Sequence, residues 1–293
     1  MSNIIIEHIP LDDVIDDMHG HERFNSNNHW KTYDDRPDDY YEVLARGNAN
    51  NWIPLFHPVE SYHTITLDRK DIVWMSKAHE IGRQTQRFSK LYEDDMEELL
   101  SKHSFSGTSY FVRTKYNSLK YGQHGVGPYE DLRSIIESMT SSNDTHRCFE
   151  YDDEECVIYL LPWQDIVTDK EFRIFVNNNK ITAISQQHLY TPNKWLQNIT
   201  DETERNTEIT KTVNKINNYF NEVGSIRDKL ASIGNTSYVM DFVFTTTGKP
   251  YFIEVNSFGK EYASGSSLFH WLLDTDALYG SKLDNSIYFR YTF

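Results

Sequence analysis

The chain of 293 residues carries 29 lysines and arginines against 44 aspartates and glutamates, a formal net charge of −15. No basic stripe stands out, which argues against DNA as a partner, and no run of about 18 apolar residues is present to span a membrane. Aromatic residues make up 14%, which at this length marks a folded chain with a sizeable core rather than a disordered one. The two cysteines, Cys148 and Cys156, supply neither a disulfide framework nor a zinc quartet and read as reduced thiols of a cytoplasmic protein. The start, Met1-Ser-Asn-Ile-Ile-Ile-Glu-His8, lacks the basic beginning and long apolar core of a signal peptide.

In chain order, residues 1–60 are acidic and punctuated (Asp12-Asp13, Asp16-Asp17, Asp34-Asp35, Asp38-Asp39) and are expected to pack on or extend the fold. Residues 61–155 are expected to form an N-terminal lobe with a basic strand-loop, and residues 156–293 a C-terminal lobe. Alternation predicts a short strand over Ser61–Leu67. Phe88, Leu91, Tyr92, Met96, Leu99 and Leu100 fall at helical spacing and predict a helix over Gln84–His103. A strand at Ser109–Thr114 and a glycine-containing loop at Tyr116–Gly127 follow. A helix over Pro128–Met139 comes next, with Pro128 in its first turn and Glu130 and Asp131 at the positive end of its dipole. The acidic run Glu150–Glu155 reads as a solvated loop and Cys156–Pro162 as an apolar strand.

The segment Glu171–Gln186 reads as a hairpin turning at Asn178-Asn179, with Glu171 facing Gln186 and Arg173 facing Ile184. Phe172, Ile174, Val176, Ile181 and Ala183 would then form its apolar face. Glu204–Ser232 is helical in character, with Ile209, Val213, Ile216, Tyr219 and Phe220 on one stripe. Between these helical residues and a short helix expected at Ser266–Leu273 lies a second hairpin, Tyr238–Gly259, with Thr247-Gly248 as its turn signal. That turn sets Asp241 opposite Glu254. It places Met240, Phe242, Phe244, Tyr251, Ile253 and Val255 on a core face, and Asp241, Glu254 and Asn256 on the exposed one. Two carboxylates and an amide form a hard-oxygen set suited to Mg²⁺, which usually bridges to nucleotide phosphates. An ordinary solvated face is the other reading of the same pattern. Neither Gly-x-Gly-x-x-Gly after a strand nor a Walker lysine motif occurs, which disfavours Rossmann and P-loop folds. The element order reads as α+β with largely antiparallel sheets.

At this point several segments carry a resemblance. Phe111-Val-Arg-Thr-Lys-Tyr-Asn-Ser-Leu-Lys-Tyr-Gly122, Glu171-Phe-Arg-Ile-Phe-Val176 and Ile184-Ser-Gln186 come first. Tyr238-Val-Met-Asp241, Ile253-Glu-Val-Asn-Ser-Phe-Gly259, Ser267-Leu-Phe-His-Trp271 and Phe289-Arg-Tyr291 follow in order. Together they resemble the cell division cycle protein 123 family of ATP-grasp proteins over roughly residues 85–293. The chain departs from the family at Glu254, where the family has Asp, and at Ser257, where it has Pro. Leu119 and Tyr121 replace Pro and Asp, and Leu161-Pro162-Trp163 replaces Arg-Lys-Trp.

The resemblance implies an ATP-grasp-like fold, two lobes with a nucleotide cleft between them, and ATP and Mg²⁺ as cofactors. It implies Asp241, Glu254 and Asn256 as metal ligands. Arg113, Lys120, Leu161, Trp163, Glu171 and Arg173 would contact the nucleotide, and Arg173 is also the candidate catalytic clamp. Each has a plain structural alternative: an ion pair for Arg113, Arg173 and Glu171, a solvated lysine for Lys120, core packing for Leu161 and Trp163. Gly122, Gly125 and Gly127 read as turn formers, and His188 and His270 lie near the proposed cleft. The implied function is a chaperone-like assembly factor for eukaryotic translation initiation factor 2, acting through its gamma subunit. The alternative is an ATP-dependent carboxylate-amine ligase with an acyl-phosphate intermediate.

Overall fold

A computed structural model describes residues 3–27, 29, 35–103, 109–150, 155–262, 264–280 and 285–293. The chain divides into two compact units, Met1–Gly47 with Asp165–Phe293, and Asn48–Gln164. In chain order the first unit begins with β1 (Ile4–Ile9), α1 (Leu11–Asp16) and α2 (Tyr40–Arg46). The second unit holds α3 (Ala49–Phe56), β2 (His63–Leu67), α4 (Arg69–Thr85), α5 (Glu93–Lys102), β3 (Tyr110–Thr114), α6 (Leu132–Ser141), α7 (Arg147–Glu150) and β4 (Cys156–Pro162). The first unit resumes with β5 (Ile166–Asn177), β6 (Lys180–Gln186), α8 (Lys194–Gln197), α9 (Glu202–Asn221) and α10 (Ile226–Ser232). It closes with β7 (Tyr238–Thr245), β8 (Pro250–Ser257), α11 (Thr275–Tyr279) and β9 (Ile287–Thr292).

The fold is α+β, and its sheets are rich in antiparallel pairs, as expected. In the second unit β4 lies between β2 and β3, antiparallel to both. Apolar side chains of α4, α5 and α6, among them Trp74, Met75, Met96, Leu99, Ile135 and Met139, share one buried cluster with Val112, Ile158 and Leu160 of the strands. The first unit is a six-stranded sheet in the order β1-β9-β6-β5-β7-β8. Its β6-β5-β7-β8 half is antiparallel, while β9 runs parallel to both β6 and β1.

Every residue of β7 is buried, because both faces of the sheet are covered. On one face α9 buries Ile209, Val213, Ile216 and Phe220, and Tyr219 meets Phe242 at 6.1 Å between ring centroids. On the other, Phe175, Ala183 and Val239 pack with Phe258, Phe269, Trp271, Ala277 and Leu278. A strand buried on both sides reads as a near-continuous apolar run rather than an alternation, and Tyr238-Val-Met-Asp-Phe-Val-Phe244 is such a run.

Several local expectations are corrected. The helix predicted over Gln84–His103 is the end of α4 and the whole of α5, with Gln86 in a left-handed conformation (φ 56°) closing α4. The acidic first turn of α5 does not reach back to it, and Leu91 is 81% exposed. The helix predicted to begin at Pro128 begins at Leu132, because the Asp131 carboxylate accepts from the Ser134 amide at 2.7 Å and caps it. Tyr129 instead pairs with Tyr110 of β3. Glu204–Ser232 is two helices, α9 and α10, and the helix expected over Ser266–Leu273 is a series of turns ahead of α11. The acidic loop expected at Glu150–Glu155 falls largely on residues 151–154, outside the described residues.

Both hairpins contain a bulge the sequence does not announce. In β5–β6 the turn at Asn178-Asn179 is as expected, but Thr182 has no partner, and Arg173 pairs with Ser185 rather than Ile184, and Phe172, not Glu171, with Gln186. The Thr182 hydroxyl donates to the Phe175 and Leu278 carbonyls, which holds the extra residue in place. In β7–β8 the turn is one residue longer than Thr247-Gly248, as Thr245 pairs with Lys249 through its amide. A bulge at Ile253 then restores the register, so Phe242 faces Phe252 and Asp241 still faces Glu254. Phe252 is therefore in the core, and Tyr251 and Ile253 are only partly buried.

Candidate functional site

Strand register builds a row across three strands of the first unit. Arg173 of β5 pairs with Asp241 of β7, which pairs with Glu254 of β8. Arg173 Nε donates to Asp241 Oδ1 at 2.8 Å and Nη2 to Oδ2 at 2.7 Å, a parallel two-point pair. Arg173 Nη1 donates to the Gly265 carbonyl at 3.0 Å. A Cβ at Gly265 would stand 2.8 Å from Asn25 Oδ1 and 3.3 Å from Arg173 Nη1, so a larger residue would displace these side-chain ends. The Asp241 side chain is 4% exposed and that of Arg173 16%. The face expected to be solvated is thus roofed by the segment after β8.

The rim of the row is polar. Gln187 Nε2 donates to Asp241 Oδ2 at 3.3 Å, Asn256 Nδ2 to Glu254 Oε1 at 3.3 Å, and His188 Nε2 lies 3.1 Å from Glu171 Oε2. Burial pushes the Asp241 carboxyl up to about 6, Arg173 opposes the rise, and Glu254 and Glu171 add to it. Burial works against the Arg173 charge, but Asp241, Glu254 and Glu171 outweigh it and hold the guanidinium above its ordinary range. The hydrogen bond with Glu171 raises His188 against its burial.

Three carboxylates, Glu171, Asp241 and Glu254, stand against the Arg173 guanidinium and the His188 ring at the rim, which leaves the row acidic, the sign that attracts a cation. Among the described residues, no three histidine, cysteine or carboxylate side chains form a metal cage. Glu254 and Asn256 offer hard oxygens at the partly exposed end of the row, and Mg²⁺ bound through one or two carboxylates and phosphates needs no full cage. Glu254 and Asn256 are the residues whose oxygens would suit Mg²⁺, since both Asp241 oxygens accept from Arg173.

The other sequence-predicted residues belong to the second unit. Arg113 is buried (2% exposed) with its guanidinium over the Trp52 ring at 4.7 Å. Lys120 is exposed, its Nζ 5.0 Å from the Tyr121 ring centroid. Leu161 is buried; Trp163 is half-buried, its amide bonded to the Ser109 carbonyl. Gly122 packs against α6, where a Cβ would lie 2.5 Å from the Ser138 Cβ and carbonyl oxygen.

Sequence reading misses the residues that brace the row. Ser185 and Ser267 hydroxyls bond at 3.0 Å, and Ser267 also donates to the Gln186 carbonyl. Gln186 spans the His188 carbonyl and the Thr292 amide. Arg290 makes a two-point pair with Asp274, 2.8 Å at each contact, and reaches Glu7 at 2.5 Å. Trp271 Nε1 donates to the Ser264 carbonyl at 2.7 Å. The signal was available: the Ile-Ser-Gln, Ser-Leu-Phe-His-Trp and Phe-Arg-Tyr segments each carry a polar residue inside an apolar run, and such residues need partners when buried.

These features define an α+β protein with a buried guanidinium–carboxylate row on a mixed six-stranded sheet. The D123 family model matches residues 129–290, more than half of the chain and inclusive of Glu171, Arg173, Asp241, Glu254 and Asn256. The chain belongs to the D123 family. No curated protein sequence matches it. Among solved structures, Cdc123 from Schizosaccharomyces pombe superposes with a TM-score of 0.55 at 13% identity, covering 85% of this chain and 97% of that one. A C-terminally truncated Cdc123 from the same organism gives 0.54 at 13%, covering 85% and 96%. The D-alanine-D-alanine ligase from Coxiella burnetii gives only 0.34 at 12%, covering 83% and 55%. At these identities the Cdc123 likeness is one of fold. No helix among the described residues is long and apolar enough to cross a membrane.

Proposed function

We propose that this chain binds Mg²⁺-ATP in an ATP-grasp-type site and acts as a chaperone-like assembly factor for eukaryotic translation initiation factor 2 through its gamma subunit. The observation that carries the reading is the Arg173–Asp241–Glu254 row. It pairs a cation for phosphate with hard oxygens for Mg²⁺ on adjacent strands, and membership of the D123 family supports it. Glu254 and Asn256 would hold the metal, with Asp241 completing the set where Arg173 turns to phosphate. Arg173 serves the phosphate end and Glu171 orients it, while Arg113, Lys120, Leu161 and Trp163 are candidate nucleotide contacts on the second unit. Mg²⁺ offsets the carboxylates that would otherwise repel a triphosphate. Bound nucleotide then favours the conformation competent for the partner by linkage. The acidic surface suits a basic partner segment.

Calorimetric titration with ATP, with and without Mg²⁺, tests the site, and capture of the purified gamma subunit with and without nucleotide tests the role. Mg²⁺-dependent binding and nucleotide-dependent capture are expected, without ADP release. ADP formed with an added acid and amine would point instead to a carboxylate-amine ligase with Arg173 clamping the substrate carboxylate. No ATP binding at millimolar concentrations would overturn both.

A further inference from the structure

The two cysteines lie apart from the row, in the second unit. Cys148 is on α7 and Cys156 begins β4, where it pairs with Leu67 of β2. No disulfide joins them, and each is 7% exposed. Both line the same open cleft of about 420 Å³, with Lys115, Tyr116, Glu155 and Tyr159 among its walls. Both also belong to the cluster that packs α4, α6 and the three-stranded sheet, and α7 rests on α4. Seven residues separate them in sequence. Both thiols border this open cleft, although each is largely buried.

Charged groups of both signs line this cleft. Tyr159 is raised by burial and by Tyr62; Lys115 opposes the rise and Cys156 adds to it. Lys115 and Cys156 thus both lie near the Tyr159 hydroxyl. Glu155 on the same wall works against ionisation. The other thiol lining this cleft, Cys148, is the resolving group for an oxidised Cys156.

We propose that Cys148 and Cys156 form a dithiol site that a hydroperoxide closes to an intramolecular disulfide. One thiolate attacks a peroxide oxygen: an S–O bond forms, the O–O bond breaks, and the departing oxygen leaves as water or alcohol after taking a proton. The second thiol attacks the resulting sulfenic sulfur; the S–S bond forms, the S–O bond breaks and water leaves. The two sulfurs together lose two electrons and two hydrogens, and the peroxide is reduced. The product ties α7 to β4.

The test uses the whole folded, reduced protein. It is exposed to hydrogen peroxide, quenched, denatured and alkylated, and its mass and peptide map are recorded. The expected product is a monomer two hydrogens lighter, with no alkylatable thiol, a Cys148–Cys156 linked peptide, and both thiols returned by dithiothreitol. Cys148→Ser and Cys156→Ser should give no internal link. Two thiols still alkylatable after peroxide, two sulfonic acids without a link, or a link between chains would each overturn the proposal. The peptide map of the unaltered protein decides it even if neither serine variant folds.

Discussion

Arg173 and Asp241, 68 residues apart in sequence, close a two-point ion pair between adjacent strands, with Asp241 almost wholly buried. Removing one partner of a buried pair leaves an uncompensated charge at a cost of about 3–5 kcal/mol. Asp241→Ala is expected to destabilise the protein on that scale, although the hairpin pattern alone placed this side chain on a solvated face. Pairing it with Arg173→Met should recover most of the loss. Urea unfolding of both variants measures this. An Asp241→Ala midpoint equal to the parent's would mean that the pair is dispensable.

Glu254 and Asn256 sit at the half-exposed end of the row, so the fold depends on them less. Glu254→Gln and Asn256→Ala should leave stability within about 0.5 kcal/mol of the parent. Each should weaken Mg²⁺-dependent ATP binding about tenfold or more, roughly 1.4 kcal/mol. Calorimetry with and without Mg²⁺ separates the two effects. A parent affinity indifferent to Mg²⁺ would remove the metal from the site.

His188 is raised by its hydrogen bond with Glu171. A raised folded-state value means that the imidazolium contributes stability fully below about 6.5, the unfolded value. The contribution disappears as pH rises through the higher folded value. The His188 ring resonance should therefore titrate above 6.5 by NMR, and Glu171→Gln should lower its midpoint. A midpoint unmoved by that substitution would show that the pair does not persist in solution.

Arg290 joins the C-terminal strand to Asp274, ahead of α11, and to Glu7 on β1. Asp274→Ala should cost about 2 kcal/mol, the scale of hydrogen bonds to a charged group. It should also speed hydrogen exchange over residues 268–274, which the guanidinium holds through the Leu268 carbonyl. Mass-detected exchange of that peptide, unchanged from the parent, would count against this anchoring.

Gly122 is pressed against Ser138. Gly122→Ala should lower stability by about 1–3 kcal/mol through overpacking, whereas phosphate approach alone would predict an effect only on nucleotide binding. Thermal melts without nucleotide distinguish the two.

The two hairpins show why parts of the site were legible and parts were not. The Thr247-Gly248 signal predicts Asp241 opposite Glu254, and the register agrees because two offsets cancel. The turn is one residue longer than the signal implies, and the Ile253 bulge removes the offset. In the other hairpin the turn was read correctly, but the bulge at Thr182 displaced Arg173 from Ile184 to Ser185. A bulge depends on what the extra residue bonds to, here the Leu278 carbonyl nearly a hundred residues on, and no local pattern encodes that.

Local order is written in short-range terms: strand propensity, turn residues, the apolar stripe of α9, and the sequence of motifs that marks the family. Those terms were enough for an α+β chain, for both hairpins, and for the set of oxygen and guanidinium groups on neighbouring strands. Which face of the sheet would be covered was settled by distant segments. The turns that carry Phe269 and Trp271 roof Asp241, and the same closure turns Arg173 toward it. Burial is a property of the assembled layers, and so is the pairing of charges that burial demands.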